Sequence, residues 1–320
     1  MLPHTSEPES ARLYTSHERL LRCQAQGLLA SGLKVLRPYT LQAGVNRSTH
    51  LGRGTEFIEL RPYSPGDDIR HMDWRATARS ESSWTRAFES DLNFAATFIV
   101  DLRNALFFGS ERFTKTLLAT ELAAIAAWDH LGLGYAVQFI GISDHGLNLS
   151  AACRSKRELQ SELAMLARIQ SDGQAFRAAD MGHSSDVLLD YLVSYGSQRD
   201  VFCFSSLTAP MLLNANQFAA VADHHALAYI NICDPLDSDL LHLSGIELSD
   251  GNMALMLDEL GSSGVIDHRY AVDQIERCFA GRCAQLGVRL YALTGDTSAQ
   301  DAYKTNSGFG RFQRGFNASL

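Results

Sequence analysis

Phe94-Ala95-Ala96-Thr97-Phe98-Ile99-Val100-Asp101 is the stretch on which the fold turns. The run is apolar but for Thr97, is too short for a core helix, and ends on a charge. A segment of this kind suits a strand buried on both faces, as in the middle of a parallel sheet. The same texture returns at Tyr135–Ile142, Asp200–Phe204, Ala226–Cys233 and Val288–Leu293. Between these lie segments that read as helices: Thr114–His130, Ser155–Ile169, Ser184–Tyr195, Asn214–His224 and Ile266–Leu286. Strands alternating with helices predict βαβ units, and right-handed crossovers restrict them to an α/β fold with a doubly wound, mostly parallel sheet.

Upstream the texture differs. Glu18–Lys34 carries leucines near helical spacing. It is followed by GVNRSTHLGRGTEFIELRPYSPGDDIRHMDWRATARSESSWTRAFESD, residues 44–91, where Gly and Pro punctuate short alternating segments such as Phe57-Ile58-Glu59-Leu60. This predicts a compact β/α element, so residues 1–93 are expected to form an N-terminal helix and β/α extension and residues 94–295 the main domain. Residues 296–320, rich in Gly, Ser and Asn, are expected to be a loose tail.

The totals bound the function. With 320 residues, 46% hydrophobic and 20% charged, the chain has ample material for a buried core. A net charge of -8 argues against general nucleic-acid binding, which needs a basic surface. No apolar run approaches a membrane span and the N-terminus lacks a signal-peptide pattern, which predicts a cytoplasmic protein. The six cysteines show no metal-ligand spacing; Cys203 and Cys233 lie in strand-like runs, and Cys278 and Cys283 read as packing residues of the last helix.

Asp101 follows the first central strand, at the carboxyl edge where open α/β sheets place their ligand sites. In von Willebrand factor A domains, which this corner resembles, the sequence is Asp-x-Ser-x-Ser and its oxygens hold magnesium. Here Arg103 and Ala105 replace the serines, and Ser205 and Ser206 stand after the next strand where a further aspartate would be. A hard cation wants several oxygen ligands, and a guanidinium beside it would repel it. Asp101 is otherwise expected to cap the next segment or pair with Arg103. A third reading has Arg103 grip a partner's carboxylate through its two-pronged donor geometry.

The second constellation is Arg61-Pro62-Tyr63-Ser64-Pro65-Gly66-Asp67-Asp68-Ile69-Arg70, then Met72-Asp73-Trp74. Pro-Gly makes a turn, and Asp67 or Asp68 can cap a following helix. Arg70, Asp73 and Arg79 are expected to form an ion-pair network under Trp74. His71 beside Asp73 has no nucleophile tied to it. His224 and His225 face different directions on a helix, Asp234-Pro235-Leu236-Asp237 reads as a turn, and Gly308–Phe316 as a frayed end. There is no phosphate loop, dinucleotide glycine triplet or nucleophile elbow.

Together, Gly52-Arg53-Gly54-Thr55-Glu56-Phe57, the Arg61–Arg70 run, Asp73-Trp74, Thr77-Ala78-Arg79, Phe88-Glu89 and Asp234-Pro235-Leu236 resemble the signature of domain-of-unknown-function family 58 over roughly residues 40–295. The resemblance implies a von Willebrand factor A-like, Rossmann-type domain with an N-terminal extension. It also implies work beside a MoxR-type AAA+ ATPase in chaperone-like assembly or maturation of other proteins. The expected function is therefore a non-enzymatic adaptor without a cofactor, whose partners are that ATPase and a protein client. Its interaction surface would comprise Arg61, Tyr63, Asp67, Asp68, Arg70, Asp73, Trp74 and Arg79, with Asp101 and Arg103 as a second contact at the sheet edge. The alternative is a metal-dependent hydrolase or ligand-processing enzyme using Asp67, Asp68, His71 and Asp73.

Overall fold

A computed structural model describes residues 15–24, 51–63, 72–79, 83–89, 95–172, 182–194, 199–208, 213–237, 240, 245–249, 254–296, 298–299, 301 and 310–311. Asp67, Asp68, Arg70, His71 and most of the helix expected over 18–34 lie outside the described residues. The chain divides into two units, residues 40–94 and residues 1–39 with 95–320.

In the larger unit, the stretch that opens the sequence argument forms β3 (Ala95–Asp101), buried almost throughout. It is followed by α3 (Lys115–Gly132), β4 (Ala136–Ser143), β5 (Gly146–Leu149), α4 (Lys156–Asp172) and α5 (Gly182–Val193). Then come β6 (Asp200–Ser205), α6 (Ala215–His224), β7 (Ala226–Cys233), β8 (Glu247–Ser249), β9 (Ala254–Met256), α7 (Leu257–Gln285), β10 (Arg289–Thr294) and β11 (Gly310–Arg311). The main sheet has seven strands in the order β11-β10-β7-β6-β3-β4-β5. Neighbours from β10 to β4 are parallel, while β5 on β4 and β11 on β10 are antiparallel at the two edges.

Both faces of the sheet are covered. On one, Phe98, Phe139, Phe202 and Phe204 pack with α3 and α4. On the other, Ile99, Val201, Cys203 and Tyr229 pack with α5, α6 and α7. This explains why the central strands read as continuous apolar runs rather than alternating ones. The helix α3 is buried nearly all round, and its Ala- and Leu-rich sequence lets the sheet and its neighbouring helices approach closely.

The described elements differ in detail from the expectations. A short helix α1 (His17–Arg22) belongs to the larger unit, not to an extension spanning 1–93. Leu20 and Cys23 are fully buried in its core, and Arg19 pairs with the buried Glu121 of α3. The edge strand β5 and the β8–β9 hairpin are too short to carry a periodic signal of their own. The tail is not wholly loose, because Gly310–Arg311 pairs with Tyr291 and Ala292 of the edge strand β10. In addition α7 begins nine residues before its expected start at Ile266, and it bends at Gly261, whose φ of 61° suits only glycine.

The smaller unit holds β1 (Leu51–Pro62) and β2 (Trp84–Glu89), paired antiparallel with irregular register near Phe57. The one-turn helix α2 (Trp74–Thr77) lies between them in sequence.

Candidate functional site

The strand order reverses between β3 and β6, so the crevice beyond their carboxyl ends is where a ligand would be sought first. Asp101, at the end of β3, is completely buried. Its Oδ1 accepts from the Arg103 backbone N–H at 3.2 Å and from Arg103 Nε at 2.8 Å. Its Oδ2 accepts from Arg103 Nη2 at 2.6 Å and from the Ser205 hydroxyl at 2.6 Å. Burial pulls the Arg103 pKa down, but the hydrogen bonds and charge of Asp101 outweigh it and hold the guanidinium above its ordinary value. Burial and the nearby Cys203 push the Tyr229 phenol well above its ordinary value.

Of the readings open for this corner, the pairing of Asp101 with Arg103 is the one the geometry takes. Arg103 is only 2% exposed. With both prongs turned onto Asp101, it does not present them to a partner's carboxylate, so the expected sheet-edge contact is corrected to an internal tie.

A second network closes the same edge. Lys115, in the first turn of α3, is 4% exposed; its Nζ donates to Asp237 Oδ1 at 2.5 Å and to Thr208 Oγ1 at 3.3 Å. Ser206 Oγ lies 2.9 Å from the same Thr208 hydroxyl. Asp234, after β7, accepts from the Ser110 N–H and hydroxyl at 2.7 and 2.5 Å and from the Leu236 N–H at 3.0 Å. It thereby holds the 3-10 turn Pro235–Asp237, as the turn expectation required. Gly109 makes this possible, since a Cβ there would sit 2.5 Å from the Phe113 carbonyl oxygen. Loops following β3, β6 and β7 are thus stitched together by their own side chains. Sequence reasoning missed Lys115 and Asp237. The available signal was a lysine in a helix's first turn, where the macrodipole disfavours positive charge unless an acid answers it.

The signature helix is built differently. Asp73 caps α2, its Oδ1 accepting from the N–H groups of Arg75 at 3.0 Å and Ala76 at 2.9 Å. The Asp73 N–H donates to the Trp84 carbonyl at 2.8 Å, and the Trp84 N–H donates to Thr77 Oγ1 at 2.9 Å. Tyr63, half-buried after β1, donates its N–H to the Ser83 carbonyl at 2.8 Å, and Arg61 pairs with Thr85 in the β1–β2 ladder. The ion-pair network expected under Trp74 includes Arg70, which lies outside the described residues. Trp74 is 63% exposed, and Arg79 is exposed with no ion pair among the described residues. Asp73 serves the helix backbone, because its position just before the first turn puts its oxygen on the orphan N–H groups.

The remaining candidates separate. His225 is buried, with Nε2 on the Leu192 carbonyl and Nδ1 accepting from the Arg199 N–H, whereas His224 is exposed. Cys283 packs in the core, but Cys278 is exposed and is not the packing residue expected; all six cysteines are free. Among the described residues no three His, Cys, Asp or Glu side chains converge as a metal site needs, and no helix is long and apolar enough to cross a membrane.

The model of a protein family of unknown function, DUF58, matches residues 59–263, and the chain belongs to that family. Uncharacterized proteins of Mycobacterium bovis and Mycobacterium tuberculosis are each 28% identical to it over 234 residues, covering 71% of this chain and 72% of the relative.

Proposed function

We propose that this DUF58 protein is a non-enzymatic adaptor. In this reading it docks a MoxR-type AAA+ ATPase and presents a client for chaperone-like assembly or maturation. The observation that carries the reading is the placement of Trp74. A tryptophan at the centre of the family signature faces solvent, while Asp73, Thr77 and Trp84 hold the backbone around it. An exposed aromatic on a pinned helix loses little conformational freedom on binding, which is what an interface anchor requires.

Supporting the von Willebrand factor A-like assignment are the strand order, the reversal between β3 and β6, and the antiparallel edge strand β5. The ion-paired carboxyl edge counts against a metal-dependent contact there, since Asp101 is already satisfied by Arg103 and Ser205. The adaptor's working surface then falls on the signature: Trp74 and Arg79, with Arg61, Tyr63, Asp67, Asp68 and Arg70 as its remaining members and Asp73 as its support.

The test is a pull-down of the tagged full chain from its native cytosol, with and without ATP, read by mass spectrometry. The adaptor reading expects an AAA+ ATPase with the native chain and its loss with Trp74→Ala. No ATPase in either nucleotide state, together with a rise in melting temperature on adding a divalent cation, would favour the hydrolase reading of Asp67, Asp68, His71 and Asp73 instead.

A further inference from the structure

The face of α2 carries more than an aromatic. Arg75, Ala78 and Arg79 are exposed beside Trp74, and neither arginine is in an ion pair among the described residues. The one acid of this segment, Asp73, has its Oδ1 turned onto the N–H groups of Arg75 and Ala76, at the helix start rather than beside the guanidinium groups. Among the described residues the result is a small exposed cluster of one aromatic and two cationic side chains at and just beyond α2. The buried cations differ: Arg19, Arg103 and Lys115 are each answered by a carboxylate.

We infer that this face binds an acidic protein segment that also offers an apolar side chain to Trp74. The carboxylates answer Arg75 and Arg79, with Ala78 leaving room between them for the partner's chain to approach. Trp and Arg are the residue types that carry most energy in protein interfaces, and rim charges of this kind set orientation and association rate. A lipid surface fits less well. Membrane-seated helices need a long apolar face, which four residues cannot supply. For its physiological partner the inference rests on the adaptor reading.

The experiment uses the full chain and a fluorescein-labelled synthetic peptide repeating Glu-Glu-Leu, followed by anisotropy. A Lys-Lys-Leu peptide and phosphatidylserine vesicles are run in parallel. The acidic peptide is expected to bind, and to bind more weakly as salt rises. Trp74→Ala and the double variant Arg75→Glu/Arg79→Glu are each expected to weaken it roughly tenfold. All three positions are solvent-facing, so unchanged melting curves will show that the variants fold. No binding of the acidic peptide overturns the inference, as does equal binding of the basic one or indifference to either variant. Vesicle binding that depends on these three residues overturns it in favour of a membrane contact. Peptide binding through α2 without recovery of an ATPase removes the adaptor reading and keeps the acidic-segment site. Recovery of an ATPase that ignores the Arg75/Arg79 reversal keeps the adaptor and removes the acidic segment.

Discussion

The carboxyl edge of the sheet and the signature helix α2 both concentrate charged residues, yet they use them in opposite ways. At the sheet edge Asp101 meets Arg103 and Lys115 meets Asp237, all but Asp237 almost fully buried. On α2 the acid serves the backbone, and Trp74, Arg75 and Arg79 are left to solvent. The difference teaches that a fold-level rule about where ligands bind is overridden by local neutralisation. An edge whose buried charges are already matched has little left to offer a ligand. Exposed arginines with no ion-pair partner among the described residues do.

The largest effect should come from opening the buried edge. Arg103→Ala leaves Asp101 buried with its main partner gone, and is expected to cost about 3–5 kcal/mol in chemical denaturation. A loss under about 1 kcal/mol would mean that the edge is not a structural tie, and the contrast with α2 would collapse.

The interior of the larger unit should next show itself by pH. His130 is wholly buried, edge-on to Phe98, Tyr135 and Phe202, and burial together with Arg289 lowers its pKa to about 4 from 6.5. A depressed folded value means that the unfolded chain takes up the proton first. Stability from the neutral ring is therefore present above pH 6.5 and lost as pH falls toward about 4. The loss is expected on the order of 3 kcal/mol across that window, and His130→Leu should flatten it. An unchanged pH slope in the variant would assign the titration elsewhere.

Smaller effects belong to the signature helix. Asp73→Ala removes the cap of α2 and is expected to cost about 1 kcal/mol, with weaker binding through Trp74 because the helix no longer holds it. Amide exchange at Arg75 and Ala76 should rise in parallel, and unchanged exchange there would show that the cap is not what orders α2. Trp74→Ala should change stability by no more than about 0.5 kcal/mol, since the ring is mostly exposed. A clearly larger loss would place Trp74 in the fold and not in an interface.

Much of the larger unit was legible in the sequence because burial on two faces writes itself as continuous apolar runs. The strands at Ala95–Asp101, Ala136–Ser143, Asp200–Ser205 and Ala226–Cys233 fall within a residue or so of their expected places. Residues 44–91 read as a β/α element from their turn chemistry, and β1, α2 and β2 lie within them. The edge strands β5 and β11 were not, because pairing of two to four residues depends on a neighbouring strand and leaves no period to read.

By itself, the sequence determined the alternation of strands and helices, the pairing available to Asp101 and Arg103, and the family to which the chain belongs. Which charges are matched internally emerged only on folding. It set Arg103 inward, joined Lys115 to Asp237 across 122 positions, and docked α1 on α3 through Arg19 and Glu121. It also left Trp74 in solvent. The physical reason is that burial and charge pairing depend on distances between residues far apart in the chain. Local composition can name the groups, but it cannot say which of them meet.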